Sequence, residues 1–171
     1  PPFCSWRGPT AKSRIATATV ITASATKIMR QSVIVRATCT GVVAAMDSLA
    51  GSGFTLAVCT NKVESHSRLL LSELGITERF AAICGRDTFP FFKPDPRHLT
   101  ETIAMAKGDA RRAVMIGDSH TDIATAQAAR IPVIAVPFGY TDQPVESFGP
   151  DRVIEHFDAL PAAVDAVLAG R

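Results

Sequence analysis

From about Thr40 onward, apolar positions recur with two periods that alternate along the chain. In TGVVAAMDSLAGSG, Val42, Val43, Met46 and Leu49 fall three or four residues apart, the spacing of one helix face. Thr40 is a candidate N-cap there, and the glycines after Ala50 mark the exit. FTLAVCTN is a short apolar run of the kind a strand buried on both faces requires. KVESHSRLLLSELG returns to the helical period with Val63, Leu70 and Leu74, and Gly75 is its stop. FAAICG predicts another strand. Asp95 and Pro96 supply an N-cap and a first-turn proline to a helix running through Leu99 and Ile103 toward Gly108. AVMIG, TDIATAQAAR and IPVIAVPFG predict strand, helix and strand, and LPAAVDAVLAG a closing helix.

Strands alternating with helices predict an α/β fold, a parallel sheet with helices on both faces. In such sheets functional groups gather at the carboxyl ends of the strands. Residues 1 to 39 break the rhythm: RIATATVITASATKIMRQSVIVRATC has neither a period of two nor a helical stripe, and within it SVIVRA is the candidate strand. The expected division is therefore an irregular segment, 1–39, and a core, 40–171.

Charge sharpens that division. The net charge of +2 over 171 residues hides an asymmetry, because Arg7, Lys12, Arg14, Lys27, Arg30 and Arg36 precede the first acidic residue, Asp47. The remainder is net acidic. Acid-free, Arg- and Ser-containing composition is compatible with a transit peptide or with a basic arm for nucleic acid, although no nucleic-acid motif or clustered aromatics accompany it. Replacement of the upstream sequence is the reading adopted for it, and Pro1 in first position points to a fragment or a processed chain. No apolar run approaches the roughly 18 residues that span a bilayer. Cys4, Cys39, Cys59 and Cys84 show no paired or metal-like spacing, so buried thiols in a reducing, cytoplasmic setting are expected. Neither a membrane nor a nucleic-acid partner is expected, and oligomeric state is open.

Polar residues stand where the predicted strands end. Thr60 closes LAVCT, Lys93 sits in FFKPDP, and Asp118 and Asp122 flank the turn after AVMIG. The Thr60 hydroxyl and the Asn61 amide can donate to an anionic oxygen, a lysine supplies a point positive charge, and carboxylates suit a hard cation such as Mg²⁺. Singly, each has an ordinary alternative: a turn hydroxyl, a solvated lysine, an acid satisfying loop amides or favouring a helix start. Together they describe a site for phosphate plus metal.

AVCTNK, GRDTFPFFKPDPRHL, AVMIGDSHTDIATAQAARIPVIAV and PFGYTD resemble the second, third and fourth motifs of the haloacid dehalogenase-like superfamily, and most closely its phosphoglycolate phosphatase branch. The resemblance spans about residues 40–168. It implies a Rossmann-like core and Mg²⁺-dependent hydrolysis of a phosphate monoester, with 2-phosphoglycolate the leading substrate and a small phosphorylated metabolite or inorganic phosphate as ligand. Residue by residue, it implies that Thr60 and Asn61 bind the phosphoryl group and that Lys93 offsets its charge and that of a nucleophile. Asp118 would ligate Mg²⁺ and Asp122 would support the metal or its waters, while His120 occupies a variable position without a role. A receiver domain also combines Asp, Thr and Lys around Mg²⁺, but its acids come first in the chain.

The family's first motif, D-x-D-x-T/V, supplies a nucleophilic aspartate and a general acid and base at the end of the central strand. Two-step hydrolysis through a covalent intermediate requires that carboxylate. No Asp or Glu precedes Asp47 and no D-x-D occurs in this chain. The expectation is thus a core whose central strand and helical cap are missing or replaced, with weakened Mg²⁺ binding and little or no turnover. A non-catalytic phosphate-binding or remnant protein of the same fold is the alternative.

Overall fold

The computed structural model describes residues 14–18, 41–138 and 143–170. Six parallel strands form one sheet in the order β3-β2-β1-β4-β5-β6. They are β1 Arg14–Ala18, β2 Phe54–Cys59, β3 Phe80–Cys84, β4 Ala113–Gly117, β5 Val133–Ala135 and β6 Arg152–Val153. The helices are α1 Val42–Gly51, α2 Glu64–Glu73, α3 Pro96–Met105, α4 His120–Ala128 and α5 Leu160–Ala169. No helix among the described residues is long and apolar enough to cross a membrane.

Strand residues alternate between two cores. Leu56, Val58, Val114, Ile116 and Ile134 point to the layer containing Met46 and Leu49 of α1, Leu71 of α2, and Leu160 and Val164 of α5. Ala57, Cys59, Ala113, Met115, Val133 and Ala135 point to the opposite layer, with Leu99 and Ile103 of α3 and Ile123 and Ala126 of α4. Successive side chains of a strand face opposite sides, so a sheet covered twice needs apolar residues at every position. This is why AVMIG and LAVC read as unbroken runs.

The central strand lies in the segment the pattern left irregular. Arg14–Ala18 pairs with β2, Ala16 opposite Leu56, and with β4, Ala16 opposite Val114. RIATA carries too few large apolar residues to announce itself; pairing on both edges, a tertiary effect, makes it a strand. The central position is thus filled by residues 14–18. SVIVRA, Thr40, Cys4, Cys39 and the stretch from 19 to 40, where a cap would stand, fall outside the described residues.

Smaller differences concern which face is buried. In α1 the buried residues are Ala45, Met46 and Leu49, while Val43 is exposed, and Gly41 in the left-handed region stands at the N-cap position. In α2 Ser67 and Leu71 face the sheet four residues apart, leaving Leu69 and Leu74 outside and Leu70 only partly covered. The run LLL offers three phases for the apolar stripe, and contact with the sheet selects one. Helix α3 starts as expected, with the Asp95 carboxylate accepting from the Arg97 amide at 2.9 Å.

Strand order reverses direction at β1: the chain moves outward to β2 and β3, then crosses to β4 on the other side. Ligands of open α/β sheets bind in the crevice beyond the carboxyl ends at such a switch point.

Candidate functional site

Thr60 directly follows β2 and Asp118 directly follows β4. Thr17 of β1 is partnered by Ala57 on one side and Met115 on the other, and Thr60 and Asp118 each lie three residues further on. The two residues therefore stand level, two strand spacings or roughly 10 Å apart. Between them is the line of the central strand, and the sequence onward from Ala18, TVIT, contains no carboxylate.

Thr60 is buried, its amide donates to the Cys84 carbonyl at 3.0 Å, and its hydroxyl oxygen accepts from the Lys62 amide at 3.2 Å. The turn after β2 is thereby held to the end of β3. Asn61 plays a double part. Its side-chain amide donates to the Lys93 carbonyl at 2.8 Å, binding this turn to the loop before α3, while its backbone N–H has no partner among the described residues. An anion beside Thr60 can receive both that N–H and the hydroxyl.

Lys93 is 4% exposed and Asp122 2% exposed. The Lys93 ammonium donates to Asp122 Oδ1 at 2.5 Å. Asp122 Oδ2 accepts from the Ser119 hydroxyl at 2.8 Å and the Asp118 amide at 3.2 Å. Burial by itself would raise the Asp122 pKa, but the Lys93 charge and hydrogen bond, with those from Ser119 and Asp118, hold it below the usual carboxylate range. The pair is ionised, buried and hydrogen-bonded on both sides.

Local sequence explains why Asp122 reaches this position. Ser119 is the N-cap of α4 and Asp122 its third residue, so each side chain folds back on the other's end of the turn. A Cβ on Gly117 would lie 2.3 Å from the Asp122 Cβ, so only glycine permits the approach. Gly85 does the same on the other wall, where a Cβ would lie 2.3 Å from the Glu64 amide nitrogen.

His98 was not singled out by sequence reasoning. It is fully buried, its Nδ1 accepts from the Lys93 amide at 3.2 Å, and its Nε2 lies 3.1 Å from the Gly85 carbonyl. This requires the neutral tautomer with the proton on Nε2. Burial, then the Lys93 charge, lowers its pKa and favours that neutral form. The only sequence signal was His98 and Thr102 sharing the buried helix face at a spacing of four. Outside this site, His120 packs against Phe148 with ring centroids 4.6 Å apart.

Thr60, Asn61, Lys93, Asp118 and Asp122 therefore converge on one end of the sheet. Both oxygens of Asp122 already accept hydrogen bonds, and Asp118, directly after β4, is a second carboxylate at the crevice. Among the described residues, no group of three or more His, Cys, Asp or Glu is placed to hold a metal ion. Carboxylate oxygens suit Mg²⁺, which takes its remaining ligands from water and phosphate oxygens. Cys59 offers no substitute nucleophile: burial pushes its thiol up to about 11, against the lowering effect of Lys93.

Comparison with known proteins identifies the family. The family described as haloacid dehalogenase-like hydrolase matches residues 12–136, a stretch that begins ahead of β1. A phosphoglycolate phosphatase of Mesorhizobium japonicum is 61% identical over 120 residues, covering 70% of this chain and 53% of that protein. Another, from Agrobacterium fabrum, is 50% identical over 72% of this chain and 53% of its own length. The chain spans about half the length of the curated relatives it matches. Among solved structures, CbbY from Rhodobacter sphaeroides in complex with phosphate aligns with a TM-score of 0.65 at 26% identity, covering 73% of this chain and 57% of that one. A family match over most of the sequence, reaching back through the central strand, leads to one conclusion: the chain belongs to the haloacid dehalogenase-like hydrolases.

Proposed function

We propose that the crevice beyond β2, β1 and β4 binds the phosphoryl group of a small phosphate monoester, with 2-phosphoglycolate the leading candidate. The observation that carries this reading is the buried Lys93–Asp122 pair beside Thr60 and Asn61 at the switch point of the sheet. Thr60 and the Asn61 amide donate to phosphate oxygens. Lys93, whose ammonium has further hydrogens beyond the one given to Asp122, supplies positive charge. His98 and Asn61 hold the Lys93 backbone in place from two sides. Asp118 would hold Mg²⁺, which when bound offsets phosphate charge. The identity to phosphoglycolate phosphatases supports the choice of substrate.

Hydrolysis belongs to the lineage, and this chain retains binding without efficient turnover. The reaction class needs an oxygen nucleophile in line with the leaving group, and no carboxylate precedes Asp47. The alternative of a remnant without a working pocket predicts no ligand response. Purified protein is assayed with 2-phosphoglycolate and Mg²⁺, and its melting temperature is followed against inorganic phosphate, since a ligand specific for the folded state stabilises it. A phosphate-dependent rise that Lys93→Ala abolishes, with negligible turnover, is the expected result. Turnover removed by Asp118→Asn would overturn the inactive reading, and a flat melting temperature would overturn the pocket itself.

A further inference from the structure

Two cations beside the phosphoryl position have no acidic partner. Lys62 follows Asn61 in the turn after β2, and its side chain is half-buried with no partner among the described residues. Arg86 follows Gly85 in the turn after β3, and its guanidinium lies over the Phe92 ring, 5.1 Å from the centroid. Neither is in an ion pair within the described residues. The turns that carry them are joined, because the Arg86 amide donates to the Lys62 carbonyl at 3.0 Å. Gly85 makes the joint possible: a Cβ there would meet that same Lys62 oxygen at 2.7 Å.

The nearby carboxylates of Glu64 and Asp87 accept hydrogen bonds from other groups. Glu64 Oε1 accepts from Arg68 at 2.8 Å and Oε2 from the Thr88 hydroxyl at 2.5 Å, and Asp87 Oδ1 accepts from the Glu64 amide at 2.8 Å. Unpaired cations at surfaces are common, but these two stand on backbone tied to the candidate phosphate-binding turns. The Lys62 amide donates to the Thr60 hydroxyl oxygen, and Phe92, which carries Arg86, immediately precedes Lys93. Two further cations therefore stand on the turns after β2 and β3, next to those that carry Thr60 and Lys93.

We infer that Lys62 and Arg86 form a second anion subsite, which receives the carboxylate of a phosphorylated carboxylic acid and sets its preference over an uncharged alkyl phosphate. The inference rests on the phosphoryl site proposed above and adds the part of the ligand beyond the phosphorus. A phosphate ester that carries a carboxylate a few bonds away presents two anions, and a rim with two separate cationic regions matches it. Arg86 can take the carboxylate bidentately, with Phe92 restricting the guanidinium plane, and Lys62 adds a point charge. Burial lowers the Lys62 pKa, and a counter-anion beside it offsets that effect.

The test is isothermal titration of the full chain with 2-phosphoglycolate, ethyl phosphate and inorganic phosphate in the presence of Mg²⁺. Ethyl phosphate replaces the carboxylate by a methyl group and keeps the phosphoryl end. The chain is expected to bind 2-phosphoglycolate about tenfold more tightly than ethyl phosphate, the size of one charge-assisted contact. Lys62→Met and Arg86→Met should each reduce that ratio, and the double variant should bring it to about one, with melting temperature checked for folding. A ratio near one in the unmodified chain, or one that survives both substitutions, overturns the subsite. Failure of inorganic phosphate and both esters to bind the unmodified chain overturns the phosphoryl site instead, and the subsite with it.

Discussion

Lys93 and Asp122 face opposite demands. Each is almost fully withdrawn from water, so each charge is tolerable only while the other is present. Removing one partner from such a pair costs about 3–5 kcal/mol, because it leaves an uncompensated buried charge. Lys93→Ala should destabilise the fold by that order in denaturant unfolding. Lys93→Met combined with Asp122→Asn should cost less than the two single changes together, since neither replacement leaves a buried charge, and a double-mutant cycle measures the difference. These two residues were legible from their motifs. Their direct contact was not, because 29 residues separate them and no local pattern encodes a meeting across the sheet.

His98 adds a dependence on pH. Its pKa is lowered from 6.5 in the folded chain, so the unfolded chain takes up a proton first as pH falls. The stability due to neutral His98 is complete above 6.5 and declines below it. Asp122 is also lowered, from 3.8, and its contribution is lost in a separate, more acidic window as pH falls through its folded value. Melting temperature should therefore drop as pH falls below 6.5, and His98→Gln should flatten that segment while leaving the separate acid loss. A profile unchanged by the substitution would show that His98 is not a buried neutral group.

Among the elements, helices α1 to α5 and strands β2 to β5 were legible from their apolar runs and periods, and α3 also from its Asp95 cap. The first strand was not. RIATA has small and hydroxylated residues whose local preference is weak, and its identity comes from pairing with Leu56 on one side and Val114 on the other. Proline at Ala16 removes a ladder donor from a central strand and should cost about 3 kcal/mol or more. Retention of the parent's thermal transition in Ala16→Pro would mean that residues 14–18 do not form this strand. At the far end of β4, Gly117→Ala forces a methyl group against Asp122 and should cost about 1–3 kcal/mol by overcrowding, with weakened phosphate binding as a second readout.

At the scale of the whole molecule, the fold places the chemistry and the sequence distributes it unequally. Thr60, Asn61, Lys93 and Asp118 come from the connections after three strands and Asp122 from the first turn of α4, yet the strand order brings all of them to the same end of the sheet. Their convergence could be anticipated because strand ends in parallel sheets share one direction. What composition obscured is that the acid-free beginning of the chain supplies the middle of that sheet. A core can keep its central strand without a carboxylate at its end, since strand pairing needs backbone alone.

The seam between the turns after β2 and β3 has a mechanical meaning. Asn61 holds the Lys93 carbonyl, Arg86 holds the Lys62 carbonyl, Thr60 holds the Cys84 carbonyl, and the glycine at 85 leaves no slack between the backbones. Three stitches across one boundary make the two turns a single stiff plate. A ligand arriving there meets a wall held by those bonds, and opening on that side would require breaking them.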